Sequence, residues 1–197
     1  ARGMRERTLI VVTADHGELL GERGERGHNG KAYEEVLHVP WVLRLPGYLP
    51  AGSVMEWPAS LVDVTPTLLA FLGVPAPDKL EGAVLPLPVP GLVERKLPDR
   101  AIVARTETWD EELHLAAVEG DFKSMESRLV PSGDILAAPA LFDLAKDPYE
   151  LHDLASAEPG RLARLREALK PMLVTVEGQG PVDEQTKGVL RALGYVQ

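Results

Sequence analysis

The 197-residue chain contains no cysteine. Disulfides, thiolate metal sites and a cysteine nucleophile are therefore excluded within these residues. No apolar run approaches the length of a membrane span. Basic charge is in deficit: 21 Lys and Arg stand against 30 Asp and Glu, for a net charge of -9. An acidic, solvated surface of this kind argues against a nucleic-acid partner, which needs a basic face. Internal repeats and low-complexity blocks are also lacking. What remains is a chain with 45% hydrophobic residues and a mean hydropathy near zero. That is enough apolar material for one large or two small domains with a real core.

The first residues, "ARGMRERTLIVV", read as the polar tail of a helix running directly into a strand. A chain rarely starts in mid-element, so the expectation is that an N-terminal part of the same protein precedes Ala1, with any targeting segment. "TLIVVTA" is a continuous β-branched run without alternation, the pattern of a strand buried on both faces of a parallel sheet. "VPWVLRLPG" is a second strand, stopped by Pro46 and Gly47. "LVDVTPTLLAFLG" holds a short helix, with Thr65 as its cap, Pro66 at its first position and Gly73 at its end. Residues 74–98 are rich in Pro and Gly and read as a long connection.

Beyond Pro98 short strand patterns alternate with turns, and "VEGDFK" forms a hairpin tip at Gly120-Asp121. A small antiparallel sheet is predicted there. Leu162, Leu165, Leu169, Met172 and Val176 then recur at three- and four-residue steps, an amphipathic helix with Pro159 near its start, which Pro171 kinks or ends. A last short helix is predicted in "VDEQTKGVLRALGYVQ". The division is thus 1–97 and 98–197.

Asp15 and His16 stand at the carboxyl end of the first strand, where ligands bind in open α/β sheets. A carboxylate beside an imidazole suits a divalent metal. Gly17 allows a tight turn, and a loop of Gly and charged residues carries His28 and Lys31. Acids at Glu34 and Glu35 suit the start of a helix. Asp63 suits a helix start rather than a ligand role, and His114, in a strand pattern, reads as a packing or edge residue. Asp143, Asp147 and Glu150 read as structural.

The ordered set Asp15-His16-Gly17, a Gly-rich loop with His28, Tyr33-Glu34-Glu35, and Val39-Pro40 to Pro46-Gly47 resembles the sulfatase family of the alkaline-phosphatase superfamily. "LVDVTPTLLAFLGV", "ALFDLAKDPYELHDLA" and "LRALGYV" agree with it, so the resemblance covers nearly the whole chain. It implies an α/β fold: the C-terminal part of an alkaline-phosphatase-like sheet with helices on both faces, then a small α+β subdomain with an antiparallel sheet. It implies a metal-dependent sulfuric ester hydrolase, acting on carbohydrate or aryl sulfate esters.

By the same resemblance Asp15 and His16 are metal ligands and His28 is a catalytic and substrate-binding residue. Lys31 is a substrate contact, although it sits two residues nearer Tyr33 than the usual family lysine. The metal is calcium by family, with manganese or zinc suited to an imidazole ligand. The family's nucleophile is a formylglycine made within Cys/Ser-x-Pro-x-Arg. No such motif occurs here, so it is expected in the missing N-terminal part and the isolated chain is expected to be inactive. The Asp-His variant is shared with phosphoester and phosphonate hydrolases, the alternative reading. A non-catalytic interaction module is the reading of another class.

Overall fold

The computed structural model describes residues 3–28, 31–108, 111–130 and 132–173. The helix predicted near the C-terminus, "LRALGYV", Val176 and the Trp109-Asp110 segment lie outside them. After a single 3-10 turn, strand β1 (Ile10–Thr13) leads into the Asp-His-Gly turn. A two-residue ladder, β2 (Leu19–Leu20) with β3 (Arg26–Gly27), folds the Gly-rich loop back on itself. The one-turn helix α1 (Glu34–Leu37) follows, then strand β4 (Trp41–Arg44) and helix α2 (Val64–Leu72).

β1 departs from the expected parallel, doubly buried strand. Among the described residues its one partner is β4, and the pair is antiparallel, Ile10 opposite Arg44 and Thr13 opposite Trp41. Ile10 and Val12 are exposed, as is Val42 on β4. The apolar composition was read correctly as strand, but a run of Val and Ile does not encode its neighbour's direction. Burial also needs covering elements, which the described residues do not place over the face that carries Ile10, Val12 and Val42.

α2 is entered through a 3-10 turn, Leu61–Asp63. Its start is set by Ser60 and Asp63 rather than Thr65. Asp63 Oδ2 accepts the Ser60 N–H at 3.0 Å, the carboxylate half of a capping box. Its Oδ1 accepts the Ala83 N–H at 2.8 Å and pairs with Arg100. Gly73 closes the helix in the left-handed conformation, as predicted, and the Val74 N–H returns to the Leu69 carbonyl at 2.9 Å. The long connection after α2 is irregular yet not idle. Leu87, Val89 and Leu92 form a buried cluster against Leu43, Ala70 and Phe71, tying it to β4 and α2.

The second half is a four-stranded antiparallel sheet in sequence order: β5 (Ile102–Glu107), β6 (Glu112–Glu119), β7 (Phe122–Leu129) and β8 (Ile135–Asp143). The β6–β7 turn lies at Gly120-Asp121, with Gly120 at φ 57°. Helix α3 (Pro159–Leu169) ends before Pro171 and passes into a 3-10 turn. Its Leu165 and Leu169 pack on Leu113, Leu115, Ala117 and Leu141, with Leu162 and Met172 beside them. The alternation of β6 assigns its faces: Leu113, Leu115 and Ala117 meet α3, while His114, Ala116 and Val118 point the other way. Register carries that second face across to Lys123, Met125 and Ser127 of β7. This is the face toward α1 and the Gly-rich loop. Among the described residues no helix is long and apolar enough to cross a membrane.

Candidate functional site

The Asp-His-Gly turn is held by α1. The Gly17 N–H donates to the Val36 carbonyl at 2.7 Å. A Cβ on Gly17 would lie 2.1 Å from the Glu35 carbonyl oxygen. The requirement for glycine is therefore close backbone approach, not the special turn geometry expected from the sequence.

That docking orients His16. Its Nδ1 lies 2.8 Å from the Gly17 carbonyl oxygen. A carbonyl only accepts, so Nδ1 carries the proton and Nε2 holds the lone pair of the neutral ring. This is the arrangement in which a backbone carbonyl orients a metal-binding imidazole. His28 comes to the same place from the far side of the loop. The two ring centroids are 4.1 Å apart and tilted by 32°. Glu18 lies beside both, with Oε2 3.4 Å from His28 Nδ1. One ligand atom from each of His16, Glu18 and His28 lies within 4.8 Å of the other two.

The other two candidate residues are placed differently. The Asp15 carboxylate is exposed; Oδ1 accepts the His16 backbone N–H at 3.0 Å and Oδ2 is 3.9 Å from His16 Nε2. It adjoins His16 but is not one of the three clustered donors. Lys31 is held by an ion pair to Glu25. Glu18 was not singled out from the sequence. The available signal was its position two residues after His16, which in extended backbone puts both side chains on one side.

Behind α1 lies a buried ion cluster that the sequence did not announce. The Lys123 side chain, wholly buried, lies 2.8 Å from Glu34 Oε1 and 2.7 Å from Glu150 Oε1. Glu150 Oε2 accepts the Glu34 N–H at 2.9 Å. Burial pushes the Glu150 carboxyl above the ordinary glutamate range, against the pull of the Lys123 ammonium. Arg23 donates to the Tyr149 carbonyl at 2.8 Å, pairs with Glu35 and Glu150, and lies over the Tyr33 ring at 3.6 Å.

Residues 1–74 match the family model described as Sulfatase. Arylsulfatase K of Bos taurus is 27% identical over 184 residues, covering 87% of this chain and 32% of that protein. The multifunctional alkaline phosphatase superfamily protein PehA of Trinickia caryophylli is 29% identical over 191 residues, covering 84% and 33%. The chain spans about a third of the length of these curated relatives. The crystal structure of Ps i-CgsB superposes with a TM-score of 0.68 at 23% identity, over 95% of this chain and 41% of that one. The Asp-His-Gly turn docked on the Tyr-Glu-Glu helix lies within the segment that matches the sulfatase model, and across most of its length the chain is similar to sulfatases and to an alkaline phosphatase superfamily protein.

Proposed function

We propose that this chain contributes the Asp-His-Gly metal-binding end and the Gly-rich loop to a metal-dependent sulfuric ester hydrolase. The juxtaposition of His16 and His28, with Glu18 beside them, carries the reading. The residues present fit a divalent cation. His16 offers a fixed lone pair, and carboxylates stand at Asp15 and Glu18. Mixed nitrogen and oxygen donors favour manganese or zinc over calcium, which takes oxygen. Asp15 and His16 would hold the ion, which when bound supplies Lewis acidity toward the ester's non-bridging oxygens.

The chain's own residues then divide the work. His28 binds a sulfate oxygen or delivers a proton to the departing alkoxide, a role for which imidazole suits neutral pH. Lys31 contacts the anionic substrate once released from Glu25. A formylglycine nucleophile would come from a Cys/Ser-x-Pro-x-Arg segment outside these residues. The fold reading follows the same line: 1–97 as the end of the catalytic sheet with helices on both faces, and 98–197 as the α+β subdomain.

The test is turnover of 4-nitrophenyl sulfate and 4-nitrophenyl phosphate by a polypeptide carrying this chain together with such a nucleophile segment. Sulfate turnover that requires added divalent metal is expected. It should be abolished in His16→Ala and lowered about 10²- to 10⁴-fold in His28→Ala. Preference for the phosphate would favour a phosphoester or phosphonate hydrolase, a second reading supported by the likeness to PehA and by the imidazole donor. No turnover of either ester would leave the interaction module.

A further inference from the structure

α1 is one turn of four residues, and its N-cap residue Tyr33 makes no side-chain cap. So short a helix does not hold itself together. Its cap arrives from the other half of the chain: Glu150, 116 residues away, accepts the Glu34 N–H. Lys123, from the hairpin end of the inner strand β7, ties Glu34 and Glu150 together. Arg23 brings the middle of the Gly-rich loop to the same carboxylate.

The segment between His16 and His28 is thereby pinned twice. One pin is the Gly17 N–H on the Val36 carbonyl of α1. The other is Arg23 on Glu150, Glu35 and the Tyr149 carbonyl. Both pins lead to Glu150, one directly and one through the helix it caps. The geometry points to Lys123, Glu150 and Arg23 as positioning residues that set the separation of His16 and His28 from the far side of α1. This rests on the reading of those two histidines as site residues; the three touch neither substrate nor metal.

Stability alone does not account for such a cluster. Two cations face three carboxylates, Glu34, Glu35 and Glu150. A buried ion pair is commonly no more stabilising than an apolar pair of the same volume. What the ions supply is direction: Glu150 meets a backbone N–H and Arg23 a carbonyl, each at one place. A second buried pair offers a control. Glu126 binds Arg128 and Arg166 on the α3 face, away from the loop.

The experiment uses the full chain. The charge-balanced variant Lys123→Met/Glu150→Gln is compared with wild type, with Arg23→Gln and with Glu126→Gln. Two quantities are read: the nuclear Overhauser effect between the His16 and His28 ring protons, and affinity for Mn²⁺ alone. Wild type should show the ring effect and bind Mn²⁺. The double variant and Arg23→Gln should lose the ring effect and about tenfold or more in affinity, with the amide spectrum of β5–β8 kept. Glu126→Gln should lower the melting temperature and leave both readouts in place.

A folded double variant with both readouts unchanged overturns the inference, as does a wild type without the ring effect. Should the double variant not fold, Arg23→Gln decides in the same way. Should wild type show the ring effect but not bind Mn²⁺, the metal reading fails and the ring effect alone decides this one.

Discussion

His114 shows how a residue that sequence reads as packing or edge acquires a measurable pH signature. It is 5% exposed on the inner strand β6, with Nδ1 2.8 Å from Ser127 Oγ and Nε2 3.3 Å from Glu112 Oε2. Burial holds its pKa below the ordinary 6.5, against the upward pull of Glu112. The folded state therefore binds fewer protons than the unfolded state between that lowered value and 6.5. His114 contributes stability that is full above 6.5 and is lost as pH falls through that window. Glu150 works with the opposite sign: its pKa is raised above 4.5, so its contribution to stability falls as pH rises from 4.5 through the raised value. The melting temperature should drop as pH is taken below 6.5, and His114→Phe should flatten that drop. An unchanged slope in the variant would remove His114 as its source. The strand pattern of "LHLAAV" was legible, but it left His114 as packing or edge; burial of both faces of β6 came from α3 on one side and α1 with the loop on the other. Lys123 in "FKSMES" gave no warning, since a lone lysine among polar residues reads as solvent-facing. Only its register opposite Val118 and Phe142 explains the burial.

Between elements the decisive contact is backbone on backbone. Gly17 sits where a side chain would run into the Glu35 carbonyl at 2.1 Å. That oxygen belongs to α1 and is not a flexible tip that can swing aside. Gly17→Ala must push the Asp-His-Gly turn off α1 and stretch the Gly17–Val36 hydrogen bond. Overpacking of this kind costs about 1–3 kcal/mol. The same change at Gly47, which has open space but φ 81°, meets no atom and bears only the cost of its conformation. Urea denaturation should show the larger loss at Gly17, accompanied by weakened Mn²⁺ binding; equal losses and intact binding would refute the docking role. Elements defined by local signals were legible: Pro159 and the leucine spacing for α3, Gly73 for the end of α2, Gly120-Asp121 for the hairpin. The pairing of β1 was not, because direction and neighbour are fixed by distant residues. The close docking of Gly17 was hidden for the same reason: its sequence shows a glycine but not what approaches it.

Across the whole molecule, burial is unevenly shared. β6 is hydrogen-bonded on both sides, by β5 and β7, with α3 on one face and the side carrying His114 buried as well. β1 has one four-residue partner among the described residues and shows Ile10 and Val12 to solvent at 43% and 52% exposure. Local opening follows local burial, so protection should be graded along the chain rather than uniform. In hydrogen exchange under native conditions, the amides of Leu113, Leu115 and Ala117 should exchange slowest, and those of β1 and β4 much faster. The segment around α1 should fall between them, because its protection comes from Glu150 and Lys123 and so depends on the four-stranded sheet staying closed. Protection of β1 equal to that of β6 would mean that its exposed face is covered in solution, and the graded picture would be wrong. Intermediate protection of α1 that survives in Lys123→Met/Glu150→Gln would mean that the helix is held from its own side. Loss of that protection with β6 unchanged would make the ion cluster the joint through which a stable sheet holds the histidine-bearing loop in place.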